Sequence, residues 1–134
     1  MDPDLELQGL IINTLLADVD VKAFVGERVF DRVKQNEPFP LISYGPSQSI
    51  SDMPTCLDGA TVYVQLDVWS REVGFPQAKR ISEAVRKALH DRDDLQLAQN
   101  ALVYLIHVDS NPMRDPDGLT SRVRMNFEAA IERR

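Results

Sequence analysis

Chemistry in this chain would have to be built from two histidines, one cysteine, an Asp-Pro-Asp-Gly segment and the arginines around it. His107 lies in the apolar run ALVYLIHV, where a histidine satisfied in the core or at an interface is a simpler reading than a metal ligand or a base. His90 falls at the end of a predicted helix, where an imidazolium complements the dipole. Cys56 has no adjacent basic residue to hold a thiolate, which argues against a nucleophile. As the only cysteine it also excludes a disulfide within the chain and zinc sites of the Cys₄ or Cys₂His₂ type. Asp115 and Asp117 suggest calcium at first sight. A calcium loop, however, needs more oxygen ligands at regular spacing and a distal Glu, so a tight turn explains DPDG better. No nucleophile elbow, phosphate loop or dinucleotide fingerprint is present. The residues therefore define no catalytic set, no cofactor site and no metal site. Arg114, Arg122 and Arg124 cluster opposite Asp115, Asp117 and Glu128. That grouping fits a solvated face, a phosphate site or pairing between subunits, since arginine is favoured at protein interfaces.

The elements that position these residues are organised around residues 61–91. Val62, Val64, Leu66 and Val68 alternate with Thr61, Tyr63, Gln65, Asp67 and Trp69, the period of a strand with one buried face, and we expect this strand to be central. After Gly74-Phe75-Pro76 the spacing becomes helical, with Ala78, Ile81, Ala84, Val85, Ala88 and Leu89 on one stripe, ready to fold back over the sheet. Tyr63 and Trp69 point away from the buried face; cover by the first helix is expected, and contact with another subunit is the alternative.

Upstream, Asp2 and Pro3 read as the cap and first position of a helix reaching about Ala17. A short second helical turn follows in DVDVKAFVG, capped by Asp18 or Asp20 and ended by Gly26. Val29-Phe30 can start a short strand, NEPFP is a connection stiffened by two prolines, and residues 41–44 form a brief strand ended by Gly45-Pro46. Residues 47–59 are polar, without either period, and long enough to suggest a functional loop. Residues 101–108 read as a buried or interface strand, residues 109–118 as the turn-forming connection to its neighbour, and residues 122–132 as the longest alternation in the chain. The fold class expected is α+β: an antiparallel-rich sheet of about four main strands with two main helices packed on one face, in a single domain spanning residues 1–134.

With 134 residues, 43% of them apolar and 27% charged, the chain can bury a true core without staples. The net charge of −6 argues against a surface built mainly to grip nucleic acid. The absence of a long apolar run and of a signal-like N-terminus leads to the expectation of a cytosolic protein with no membrane partner.

Three stretches taken together carry a family resemblance: VFDRVKQNEPFPLISYGP, LDVWSREVGFPQAKRISEAVRKALHD and MRDPDGLTSRVRMNFEA. In this order and spacing, from about Leu5 to Glu132, the chain resembles the small tail completion (tail terminator) proteins of long-tailed bacteriophages, prophages and gene transfer agents. It departs from them in the charged, longer VKQNEPFP connection. The resemblance implies an α+β fold and a structural role without catalysis or cofactor. It implies a ring of copies of itself, usually six, that caps the head-proximal end of the tail tube. The implied partners are the major tail tube protein and a head connector or stopper protein, with DNA passing through unbound. The implied location is the head-tail junction of the virion after assembly in the host bacterial cytoplasm. Interface residues are then expected in the two segments rich in turn formers: Ser47, Ser49, Asp52, Met53 and Asp58 in the first, and Met113, Arg114, Asp115 and Asp117, with Arg122 and Arg124, around the second. The alternatives are a head-side stopper of the same assembly, or a small α+β ligand- or nucleic-acid-binding module using Tyr63, Trp69 and Tyr104 as a stacking platform.

Overall fold

Helix starts follow the caps written in the sequence. In the structure, a computed structural model that describes residues 1–51 and 58–134, Asp2 accepts the Leu5 N–H at 3.0 Å and opens α1 (Pro3–Ala17). Asp18 closes α1 and caps α2 (Val19–Val25), its Oδ1 accepting the N–H groups of Asp20 and Val21 at 3.0 Å. Gly26, with φ of 60°, ends α2 in a conformation that favours glycine. Pro76 stands at the start of α3 (Pro76–Leu89), whose cationic last turn holds Arg86 and Lys87 against the negative end of the dipole.

Among the described residues five strands follow the chain: β1 (Val29–Phe30), β2 (Leu41–Ser51), β3 (Gly59–Ser70), β4 (Ala101–Arg114) and β5 (Ser121–Glu132). They form one sheet in the order β1-β2-β3-β5-β4, antiparallel except for the short β1 beside β2. The central position expected for residues 61–69 is the one β3 occupies. The α+β class holds, with a fifth strand in β1 and a third helix where only a helical turn was expected.

All three helices lie on one face. Leu7, Ile11 and Leu15 of α1 and Ala78, Ile81, Val85 and Leu89 of α3 meet Val62, Val64, Leu66 and Val68 of β3 and Val123, Met125, Phe127 and Ala129 of β5 in one continuous core. Each large side chain so buried contributes about 1.5 to 3 kcal/mol, which is why the period-2 strands and the helical stripe settle against one another.

Four sequence expectations change. Gly45-Pro46 does not end β2: the pair forms a bulge between Tyr44 and Ser47, and pairing to β3 resumes as far as Ser51. Part of the expected 47–59 loop is therefore strand. Residues 109–114 are likewise strand, leaving a turn at 115–120. Of the two readings of residues 101–108, buried or interface strand, the buried one is set aside: β4 is an edge strand, with Val103 and Val108 more than half exposed. Finally, the first helix does not cover the aromatics of β3, because α1 packs on the opposite face.

Candidate assembly surfaces

The face without helices carries the alternate residues of four strands. Tyr63, Gln65, Asp67 and Trp69 of β3 stand opposite Glu128, Asn126, Arg124 and Arg122 of β5. Polar contacts within and between strands knit this face together. Arg124 Nε lies 3.3 Å from Oδ1 of Asp67, Asn126 donates to Asp109 at 2.6 Å, Asn111 donates to the same carboxylate at 2.9 Å, and Tyr104 donates to Glu128 at 2.6 Å. A groove of about 330 Å³ crosses the face between Pro46 and Val108. Tyr63 and Glu128 are its ionisable side chains, and Glu128 is already engaged by Tyr104, so no acid-base pair converges there. Among the described residues no cluster of three or more His, Cys, Asp and Glu could hold a metal ion.

The proposed stacking platform is largely taken. The Arg122 guanidinium sits 4.8 Å from the centroid of Trp69, whose indole N–H donates to Ser43, and the Tyr104 hydroxyl is bound to Glu128. Tyr63 is the most exposed of the three, at 41%.

The expected interface residues separate into two regions. Met113, Arg114, Asp115, Asp117, Arg122 and Arg124 gather at the sheet end where β3 finishes and β5 begins. Arginines there are stacked on rings: Arg114 lies 5.0 Å from the centroid of Phe75, and Arg71 lies 4.2 Å from that of Phe39. Such contacts hold a guanidinium in place while leaving its edge donors available. Asp117 staples the turn by accepting from Thr120 N–H, Thr120 Oγ1 and Leu119 N–H at 2.7 to 2.9 Å. Those bonds, the backbone one from Thr120 first, hold its carboxyl below the usual range. Asp115 closes the same turn through its backbone.

Ser47 and Ser49 lie on the distal half of β2 and Asp58 beside the start of β3, away from that arginine cluster. Ser47 Oγ donates to the Asp4 carboxylate of α1 at 2.7 Å, and Asp58 pairs with Arg133 at 3.2 Å. Asp52 and Met53 lie outside the described residues. Since β3 runs from one end to the other, the ends of the sheet are about 36 Å apart at the usual rise of a strand.

Sequence reasoning missed Asp109, which it left in a turn, and the Glu6–Asn100 contact. Glu6 accepts from the N–H groups of Gln99 and Asn100 and from Asn100 Nδ2, at 2.7 to 3.0 Å, tying α1 to the start of β4. Burial raises the Glu6 pKa, but the bonds from Asn100 and Gln99 and the N-terminal charge together leave it lowered. Glu6 shows no local signal because its partners are distant in the chain, and Asp109 is held by Asn126 of the neighbouring strand as well as by nearby Asn111.

The model of the family described as tail completion protein gp17 matches residues 9–132. Among solved structures, a chain in a structure titled "Virion of native gene transfer agent (GTA) particle" is 29% identical, with a TM-score of 0.84 and 94% of each chain covered. Comparison with curated proteins gives no match. The family match over nearly its whole length establishes that this chain belongs to the tail completion protein gp17 family, structural proteins of phage tail assembly.

Proposed function

We propose that this protein forms a ring, of six copies in the usual arrangement of the family, that caps the head-proximal end of the tail tube and joins it to the head. One end of the sheet meets the major tail tube protein and the other meets the head connector or stopper, so the protein resides at the head-tail junction once assembled in the host cytoplasm. The observation that carries this reading is the separation of exposed polar features onto opposite ends of one sheet, the arginine cluster with the 115–120 turn at one and the distal end of β2 with Asp58 at the other. A structural adaptor needs two such patches and no cleft. An acidic chain, at −6 overall, also repels DNA wherever its carboxylates line a channel, so DNA passes without specific binding.

The test is complementation of a deletion. Without the protein, tails should be overlong and heads should lack tails in electron micrographs. Replacing the 115–120 turn by a two-residue turn, or shortening residues 52–58, should each restore only part of the function: one tube-length control, the other head joining. Normal particle yield with both shortened variants would remove the two ends from the proposal.

A further inference from the structure

Each edge of the sheet has one covered half and one open half, and the two open halves lie at diagonally opposite corners. On the β2 edge, the Ile42 N–H donates to the carbonyl of Arg28 beside β1, so Ile42 turns its backbone outward. Ile42 stands opposite Val68, so Val68 turns toward β5, and alternation carried along β3 leaves Tyr63 and Thr61 bonded to Gln48 and Ile50. Ser47, Ser49 and Ser51 therefore aim their backbone groups away from the sheet. Among the described residues no strand pairs with β2 on that side beyond Ser43, and residues 46–51 are all exposed.

On the β4 edge the covered half comes first. The His107 N–H donates to His90 Nδ1 at 2.9 Å, and the Leu105 carbonyl accepts the Asp91 N–H at 2.7 Å, so the turn after α3 occupies the outward groups. Past the bulge between His107 and Asp109, the same alternation turns Ser110, Pro112 and Arg114 outward. No described strand covers them.

We propose that the open half of β2 in one copy pairs antiparallel with the open half of β4 in the next, so that the sheet continues from subunit to subunit. This rests on the ring reading above and specifies its contact. In one chain β2 and β4 run in opposite directions, so copies related by a rotation present them antiparallel. A β2–β2 pair would instead give a closed two-fold dimer, whereas a ring needs two different patches. The stagger also fits. Ser49 shares a row with Val62, and Pro112 shares a row with Val68 through Val123, six residues further along β3. That offset is about 20 Å along the strands, against about 19 Å across four strands. The resulting tilt is about 45°, at the upper end of the range for closed sheets. Placing Ser49 opposite Pro112 puts Ile50 opposite Asn111 and Gln48 opposite Met113, and all four of these side chains lie on the face without helices. Pro112 lacks an N–H, so the pairing forgoes one bond there.

The test is cross-linking in a Cys56→Ser background. Ile50→Cys combined with Asn111→Cys sets a non-hydrogen-bonded antiparallel pair at the Cα separation of about 4.5 Å that a disulfide accepts. In the presence of tail tubes, mild oxidation should convert most of the protein into a ladder of covalent multimers that collapses on reduction. Ile50→Cys with Val103→Cys, aimed at the covered half of β4, should give none, and neither should Ile50→Cys alone. Ser49→Pro, which deletes an outward N–H, should keep the circular dichroism of the monomer and lose the ring mass in native mass spectrometry. Rings seen by negative stain without a ladder at positions 50 and 111, or a dimer from Ile50→Cys alone, would overturn the edge pairing and leave the ring reading standing. No ring under any condition would overturn both.

Discussion

Asp67 on β3 and Arg124 on β5 face each other on the uncovered sheet face, with Arg124 Nε 3.3 Å from Asp67 Oδ1. The carboxylate is nearly buried, its side chain 8% exposed, while the arginine remains 33% exposed. The two partners are therefore unequal. Removing Arg124 leaves a desolvated charge uncompensated, whereas removing both leaves none. We expect Arg124→Ala to lower the unfolding free energy by about 1 to 2 kcal/mol, the low end for such pairs because water reaches the guanidinium. The double variant Asp67→Leu/Arg124→Leu should fall within about 1 kcal/mol of the parent. Urea denaturation of the parent and these two variants checks this, and a double variant weaker than Arg124→Ala would contradict it.

Tyr44 carries the opposite kind of site. Its hydroxyl is buried on the helix side of β2 without a hydrogen-bond partner. Burial first, and then the charges of Asp4 and Asp31, push its phenol above the usual range. Deleting an unsatisfied buried hydroxyl removes a desolvation cost, so Tyr44→Phe should stabilise the fold by about 1 kcal/mol. A lower midpoint in urea would show that the hydroxyl has a role that the geometry does not reveal.

At the β2 bulge, Gly45 lies close against Gln65. A Cβ there would stand 2.9 Å from Gln65 Nε2 and 3.1 Å from the Gln65 carbonyl oxygen, and the latter is backbone that cannot swing aside. Gly45→Ala should therefore cost about 1 to 3 kcal/mol, as overpacking does. It should also speed amide exchange in residues 47–51, whose pairing with β3 depends on the bulge. Unchanged exchange there, with stability lost elsewhere, would contradict the account.

His107 packs edge-on against Phe127, with ring centroids 5.4 Å apart, and its Nε2 lies 2.7 Å from Ser110 Oγ. Burial lowers its pKa from the ordinary 6.5, helped by nearby His90 and Arg86 and opposed by Asp109. A group harder to protonate when folded binds more protons when unfolded, so stability is full above the unfolded pKa. It should decline as pH falls through about 6.5 toward the lower folded value. His107→Gln should flatten that part of the stability curve between pH 7 and pH 5, which thermal unfolding across the range will show.

Trp69 offers a test of the binding-module alternative. Its ring is covered by Arg122 and its N–H is engaged by Ser43. Titration with single-stranded oligonucleotides at physiological salt should leave its fluorescence without a saturable change. A saturable quench that weakens with salt would reinstate a nucleic-acid surface.

Wherever burial imposes a period, the sequence by itself determined the elements. Val62, Val64, Leu66 and Val68, the α3 stripe and the alternation from Val123 to Ile131 each record which side faces the core, and Asp2, Asp18 and Gly26 mark helix ends by local chemistry. The residues proposed for an interface around the 115–120 turn could also be grouped from sequence, because they sit close together in the chain. Tertiary structure alone decided the rest. Residues 47–51 and 109–114 are strand with almost every side chain in water, so no period betrays them, and their residue types are those of turns. Gly45-Pro46 serves equally well as a turn or a bulge until β3 supplies the partner. The strand order, which places β4 at the edge and leaves two diagonal half-edges open, depends on hydrogen bonds between residues far apart in the chain, which no local pattern encodes.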